Sequence, residues 1–419
     1  MWHDLQYRQG ILRYDGIDLS AVACEHGTPC FVYSRSRLES NYRLFDEALS
    51  LMPHIVCYAV KANSSLGLLK ILADLGSGAD VVSGGEIVRA RRAGIPANRI
   101  IYSGVGKTDE EINLALDQDI LLFNIESTEE LHRLNALAAK KGKKAGLSIR
   151  VNPDIDAKTH PKITTGMQEN KFGIPAEEIL ELYGRAKAMP NIEIRGIEAH
   201  IGSQIGDLRP FNDTAERLRG MWNSLRDEGI HIRYVSLGGG LGIPYCPEKV
   251  FPSPKEYAAT VLPHFRGTGI TLLVEPGRFI VGNAGVFLTR VLYTKLNGAK
   301  KFVIVDGAMN DFPRPMLYGA HHTVYPVREP EEETEVVDIV GPICETTDRL
   351  AEAREIPVTK SGDLLAFTSA GAYCFSMSSN YNSRPRATEI MIDNGISRVI
   401  RERETIEDLI RGERFLPRE

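Results

Sequence analysis

Lys61, His200, the run Gly238, Gly239, Gly240 and the tetrapeptide Glu275, Pro276, Gly277, Arg278 are the residues of this 419-residue chain whose types and placement promise chemistry. Each ends or directly follows a short apolar run. A lysine held at an apolar mouth can be desolvated enough to lower its pKa and serve as a Schiff-base amine. Consecutive glycines let backbone N–H groups approach an anion closely, an imidazole offers a flat face, and Glu275 offers a carboxylate. Taken singly, each has a plainer reading as a capping or snorkelling lysine, a structural histidine, a tight loop or an ion pair. As a nucleotide motif the glycine run fails, because GxGxxG spacing is not met. Gly106, Lys107 and Thr108 resemble the end of a Walker A loop, but Ile101 stands where its first glycine belongs.

Eight short apolar runs must position these residues: 55–60, 79–83, 99–103, 120–125, 147–152, 196–201, 234–238 and 271–275. Most are apolar nearly throughout, as strands of a parallel sheet covered on both faces should be, and amphipathic helical stretches separate them. Ser127 with Glu130 reads as a capping box opening one helix, which Gly142 stops; Pro175 opens another, with Ile179, Leu182, Tyr183 and Ala186 on one side. Eight βα units in succession predict a (β/α)8 TIM-type barrel over 36–283, whose reactive groups belong at the carboxyl ends of the strands. From about residue 284 the helical pattern fades and strand-like runs follow one another. This half, with residues 1–35, is expected to form a second, β-rich domain of barrel or sandwich type over 1–35 and 284–419, with Ser36 to Met52 a helix leading into the barrel. An amine, an anion cradle, a flat ring and a carboxylate at one barrel mouth are together what pyridoxal 5'-phosphate requires. The amine suits its C4', the glycines its phosphate, the imidazole its ring face and the carboxylate its ring nitrogen.

Composition narrows the partners. Fifty Lys and Arg against 55 Asp and Glu give a net charge of −5, with no block of like charge, so neither nucleic acid nor an anionic membrane is an expected partner. The first residues lack a signal-peptide pattern and no apolar run is long enough to span a bilayer, which predicts a cytoplasmic protein. Six scattered cysteines without a CxxC pair, and ten histidines without an HExxH, predict neither a disulfide framework nor a metal site.

The chain resembles the diaminopimelate decarboxylase family, in order and over essentially its whole length. The likeness is carried by YAVKAN around Lys61, HIGSQ around His200, GGGLGI, EPGR, GPICETTD around Cys344 and GAYCFSMSSNYNSRPR from Gly371, with HPKITTGMQENKFGI (160–174) similar to the loop after the fifth strand. One departure is Thr346, where the family often has Ser. The resemblance implies a pyridoxal-phosphate enzyme of the alanine racemase-like fold type, a homodimer that decarboxylates meso-diaminopimelate to L-lysine and CO2. By motif, Lys61 would carry the cofactor; His200, Ser203, Gly239, Gly240, Glu275, Pro276, Gly277, Arg278 and Tyr373 would hold it. Arg278, Arg314, Tyr318, Glu345 and Tyr373 would bind substrate, and Cys344, from the partner subunit, would protonate the carbanion. Family members that racemise alanine place an Arg at the ring nitrogen, so Glu275 favours decarboxylation. Two rivals stand beside this reading. One is a related decarboxylase of a basic amino acid or carboxynorspermidine, which should lack the two-arginine distal site; the other is a pyridoxal-phosphate carrier or regulatory protein, which would need only the barrel.

Overall fold

In the computed structural model, which describes residues 4–157, 171–330 and 333–416, the eight apolar runs form eight parallel strands. They are His54–Ala59, Gly78–Val81, Ile100–Tyr102, Leu122–Ile125, Ala145–Asn152, Ile192–Ala199, Tyr234–Ser236 and Thr271–Val274. Each pairs with its neighbours in sequence, and the eighth returns to the first through Leu272 opposite His54, so the sheet closes. A short strand, Ile174–Pro175, adds to the fifth beside Val151 and Asn152. The strands were apolar throughout because both faces are covered: Cys57, Ile101, Leu121, Leu122 and Leu273 cluster in the buried core.

The crossover helices begin where local chemistry dictates. Ser83 accepts from the Glu86 amide at the start of Gly84–Ala93, and Thr108 with Glu111 forms a complete capping box at Asp109–Asp117. At Ser127 the expected box is only half built. The Ser127 hydroxyl accepts from Glu130 N at 3.1 Å, but the Glu130 carboxylate turns to Glu126 N at 2.9 Å and Lys107 Nζ at 2.6 Å. A buried ammonium competes better for that carboxylate than a second amide. The helix expected from Pro175 starts later, as Ile179–Lys187 after a turn of 3₁₀ helix, and does bury Ile179, Leu182, Tyr183 and Ala186.

The chain divides into two compact units, one of Glu39–Ile243 and Val250–Ile280, the other of Met1–Leu38, Pro244–Lys249 and Val281–Glu419. The second is β-rich. Its sheet runs in the order Arg349–Pro357, Thr334–Val340, Lys300–Val305, Gly285–Asn297, Cys30–Ser34, Thr388–Asp393, Ile396–Arg401. The 13-residue strand Gly285–Asn297 organises it, pairing through its first part with Cys30–Ser34 and Leu364–Phe367 and through its second with Lys300–Val305. Leu12, Tyr14, Val32, Val286, Leu288, Ala366 and Ile390 share its buried core, so the early strands do join it. The helix expected over Ser36 to Met52 runs Arg35–Leu49. The small excursion Pro244–Lys249, which joins the β-rich unit from between the seventh and eighth barrel strands, has no sequence signature. Among the described residues no helix is long and apolar enough to cross a membrane, and no group of His, Cys, Asp and Glu is arranged to hold a metal ion.

Candidate active site

The first barrel strand ends in a single turn, Val60–Ala62, that carries Lys61. Lys61 Nζ donates to Asp80 Oδ2 at 2.6 Å, and Asp80, on the second strand, is fully buried. Around the barrel, Arg150 of the fifth strand donates to Glu126 Oε1 at 2.9 Å, with both side chains buried. Glu198 of the sixth strand pairs in register with Arg150 on one side and Ser236 on the other. Ser236 donates through Oγ to Glu275 Oε1 at 2.6 Å and accepts from the Gly238 amide at 3.1 Å.

This interior is not the apolar mouth expected from sequence. Asp80, Glu126, Glu198 and Glu275 are all buried, and the cations acting on them are Lys61 and Arg150. Lys61 is therefore matched by an anion rather than isolated in hydrocarbon, and the burden of desolvation falls on the carboxylates. Burial, then the fields of Glu198 and Asp80, push Glu275 well above the ordinary carboxylate range. Burial raises Glu198 to about 7 despite Arg150 beside it, and raises Glu86 to about 7 as well. Buried like charges this close cannot all ionise, so protons are retained among them.

His200 follows the sixth strand. Burial lowers its pKa well below the usual value, and Arg150 and Lys61 lower it further, so the ring is neutral. The Gly239 amide donates to its Nδ1 at 3.1 Å, which leaves the hydrogen on Nε2 and fixes the ring plane rather than facing an anion. The glycines are required by space: a Cβ on Gly239 would lie 2.2 Å from the Glu275 carbonyl oxygen, and Gly240, at φ +110°, would meet Gly202 O at 2.6 Å. Arg278, buried, donates through Nε and Nη2 to Ser203 Oγ at 3.3 and 3.0 Å. The barrel unit thus gathers Lys61, His200, Ser203, Gly239, Gly240, Glu275, Pro276, Gly277 and Arg278 at the carboxyl ends of its strands. An amine, a cradle with no room for a side chain, a neutral planar ring and a proton-avid carboxylate fit pyridoxal phosphate group by group.

The remaining candidates lie in the β-rich unit. Cys344 and Glu345 are exposed on a loop tied to the turn Tyr381–Ser383, two strands further along the chain: Cys344 N donates to Asn382 Oδ1 at 3.0 Å, and Tyr381 Oη donates to Glu345 Oε2 at 2.9 Å. Hydrogen bonds from Thr347 and Tyr381 lower the Glu345 pKa, keeping it a carboxylate. Tyr373 has φ +58°, a strained conformation for a bulky residue that fixes where its side chain departs. Tyr318 Oη donates to Met377 Sδ at 4.0 Å. Arg314, on the short helix Arg314–Tyr318, is buried. Of the loop expected at 160–174, residues 160–170 lie outside the described residues; Phe172 beyond them packs under Arg150, with the guanidinium 4.8 Å from the ring. Sequence reasoning missed Asp80, Glu198 and Ser236, polar residues inside otherwise apolar strands.

Residues 35–282 match the family model for the pyridoxal-binding domain of pyridoxal-dependent decarboxylases. The diaminopimelate decarboxylase of Pseudomonas fluorescens is 50% identical over 98% of this chain and 99% of its own, and that of Aquifex aeolicus 47% identical over 97% and 96%. Among solved structures, the M. jannaschii diaminopimelate decarboxylase in complex with L-lysine superposes with a TM-score of 0.94 at 37% identity, covering 99% of this chain and 98% of that one. The Helicobacter pylori diaminopimelate decarboxylase, also complexed with L-lysine, gives a TM-score of 0.91 at 42% identity over 94% and 98%.

Proposed function

The chain belongs to the pyridoxal-dependent decarboxylases and, within them, to the diaminopimelate decarboxylases, and from that premise we propose how its residues divide the work. It is a pyridoxal-phosphate-dependent carboxy-lyase that converts meso-2,6-diaminopimelate to L-lysine and CO2, closing lysine biosynthesis. Pyridoxal phosphate, when bound, supplies the sink for the electron pair left at Cα as CO2 departs. Lys61 Nζ holds its aldehyde carbon, and Asp80 Oδ2, 2.6 Å from that nitrogen, takes the proton the amine must lose to become nucleophilic. Glu275 is the observation that carries the reading: a carboxyl group buried at the end of the eighth barrel strand and fixed by Ser236 Oγ at 2.6 Å would supply a proton to the ring nitrogen and stand beside it as the counter-anion, the condition for a strong sink. Ser236 holds Glu275 in place while bonding the glycine loop, which ties the two ends of the cofactor site together. His200, neutral and fixed by Gly239, covers one ring face. The Gly240 amide, the backbone of Pro276 to Arg278 and Ser203 hold the phosphate.

Substrate choice needs the second head group of meso-diaminopimelate. Arg314, with Tyr318 of the same unit, binds the distal carboxylate, and Glu345 pairs with the distal ammonium. The partner subunit's Cys344 delivers a proton to Cα, and the exposure of Cys344 and Glu345 in a single chain supports a shared site in a homodimer. D-Lysine and D-ornithine lack the distal carboxylate and leave a buried guanidinium unpaired, so discrimination of roughly 10⁴ in kcat/KM follows. Product analysis with meso-diaminopimelate, D-lysine and D-ornithine side by side tests this. CO2 and L-lysine from the first, with the other two turned over at least about a thousandfold less efficiently, is the expected result; comparable turnover of all three would refute the distal site.

A further inference from the structure

Arg314 is a buried cation with no ion-pair partner among the described residues. Its side chain is 6% exposed, and its Nε has no hydrogen-bond partner. Its guanidinium lies over the Tyr245 ring, 4.6 Å from the centroid, and Nη1 meets His322 Nε2 at 2.8 Å. His322 is 1% exposed and also bonds Thr368 O at 2.8 Å through Nδ1. A carbonyl oxygen only accepts and a guanidinium only donates, so Nδ1 carries the hydrogen and Nε2 the lone pair. The tautomer is thereby set from both sides, and the imidazole is neutral. The ring is wedged as well: Tyr245 packs edge-on at 5.0 Å and Phe312 at 4.5 Å. Tyr245 is itself held by Thr323 Oγ1, which donates to its carbonyl at 3.0 Å.

We propose that His322 is the positioning residue of the distal carboxylate site: it accepts one Arg314 N–H, fixes the guanidinium plane on Tyr245, and leaves the charge unneutralised for a carboxylate. A carboxylate at that place would orient Arg314 as firmly but would cancel the charge the ligand needs, whereas a neutral acceptor orients without competing. The idea rests on the reading of Arg314 given above. It adds a residue that touches neither the cofactor nor the reacting carbon, so its loss should appear in carboxylate recognition.

The test is calorimetric binding of two probes to the holoenzyme: L-lysine, which retains the distal carboxylate, and 1,5-diaminopentane, the same chain without it. The parent should prefer L-lysine, and His322→Leu should narrow that preference at least about tenfold, the equivalent of about 1.4 kcal/mol, while the bound cofactor's visible absorbance stays unchanged. His322→Gln, which can accept from Arg314 and donate to Thr368 O, should restore most of the preference. Should His322→Leu fail to fold, His322→Met carries the same expectation. Arg314→Leu serves as the reference. If it abolishes the preference while His322→Leu and His322→Met leave it intact, the positioning role is wrong and the distal site stands. If Arg314→Leu leaves the preference intact, the reading of Arg314 falls and the proposal with it.

Discussion

Two buried polar sites in this molecule handle charge in opposite ways. In the barrel, Lys61 and Arg150 are each bonded to a carboxylate, and carboxylates still outnumber the cations, so protons stay bound on Glu275 and Glu198. In the β-rich unit, Arg314 is held by a neutral imidazole and an aromatic face and forms no ion pair among the described residues. The first arrangement suits a group that must be kept protonated and passed electrons. The second suits recognition of a carboxylate that arrives from solution and leaves again with the product. On the proposed division of roles, chemistry and specificity rest on different electrostatic designs and should be separable by mutation.

The largest effect should come from removing either reactive group. Lys61→Ala and Cys344→Ala should each lose roughly 10⁴ or more in kcat with the fold intact. If Cys344 serves the neighbouring subunit, mixing the two variants restores activity: about half of randomly reassorted dimers are mixed and each has one sound site, so about a quarter of parental activity returns. Demonstrated subunit exchange without recovery would confine Cys344 to its own chain or to no role. Glu275→Gln comes next, with kcat down about 10²- to 10³-fold and cofactor retained; a raised KM at unchanged kcat would reduce Glu275 to a structural group and erase the contrast. Arg314→Ala should do the reverse, raising KM for meso-diaminopimelate about a hundredfold with little change in kcat and narrowing the gap to D-lysine. Equal losses on both substrates would show that the two sites are not separable.

The smallest effect is on stability. Glu198, raised by burial from 4.5 to about 7, binds its proton more tightly in the folded than in the unfolded chain. Its contribution is full below about 4.5 and is lost as pH rises through about 7. Glu198→Gln should therefore gain on the parent by a few degrees in Tm across that window, and a gap that does not move with pH would contradict the proton-retaining cluster.

What was legible in the sequence follows from the same physics. The eight barrel strands could be read because burial on both faces makes each a continuous apolar run, and Lys61, His200 and Glu275 stood out by ending those runs. Asp80, Glu198 and Ser236 were hidden inside ADVVS, GIEAHI and YVSLG, where a polar residue looks like noise; in a closed barrel it is a residue aimed at the interior. In the β-rich unit, Arg349–Pro357 reads RLAEAREIP, a helix-forming composition, and becomes a strand only by pairing with Thr334–Val340. Ile396–Arg401 is an exposed, charged edge strand with little apolar signal. The Arg314 and His322 contact was invisible because each reads as an ordinary polar residue until the fold removes both from water.

The central claim is that Lys61, among the carboxylates of the barrel, is the residue that bears the cofactor. Borohydride reduction of the holoenzyme, followed by proteolysis and mass mapping, tests it without reference to activity. A pyridoxyl group on the peptide containing Lys61, with the visible absorbance abolished, is the result this account requires. The label on any other lysine would contradict it.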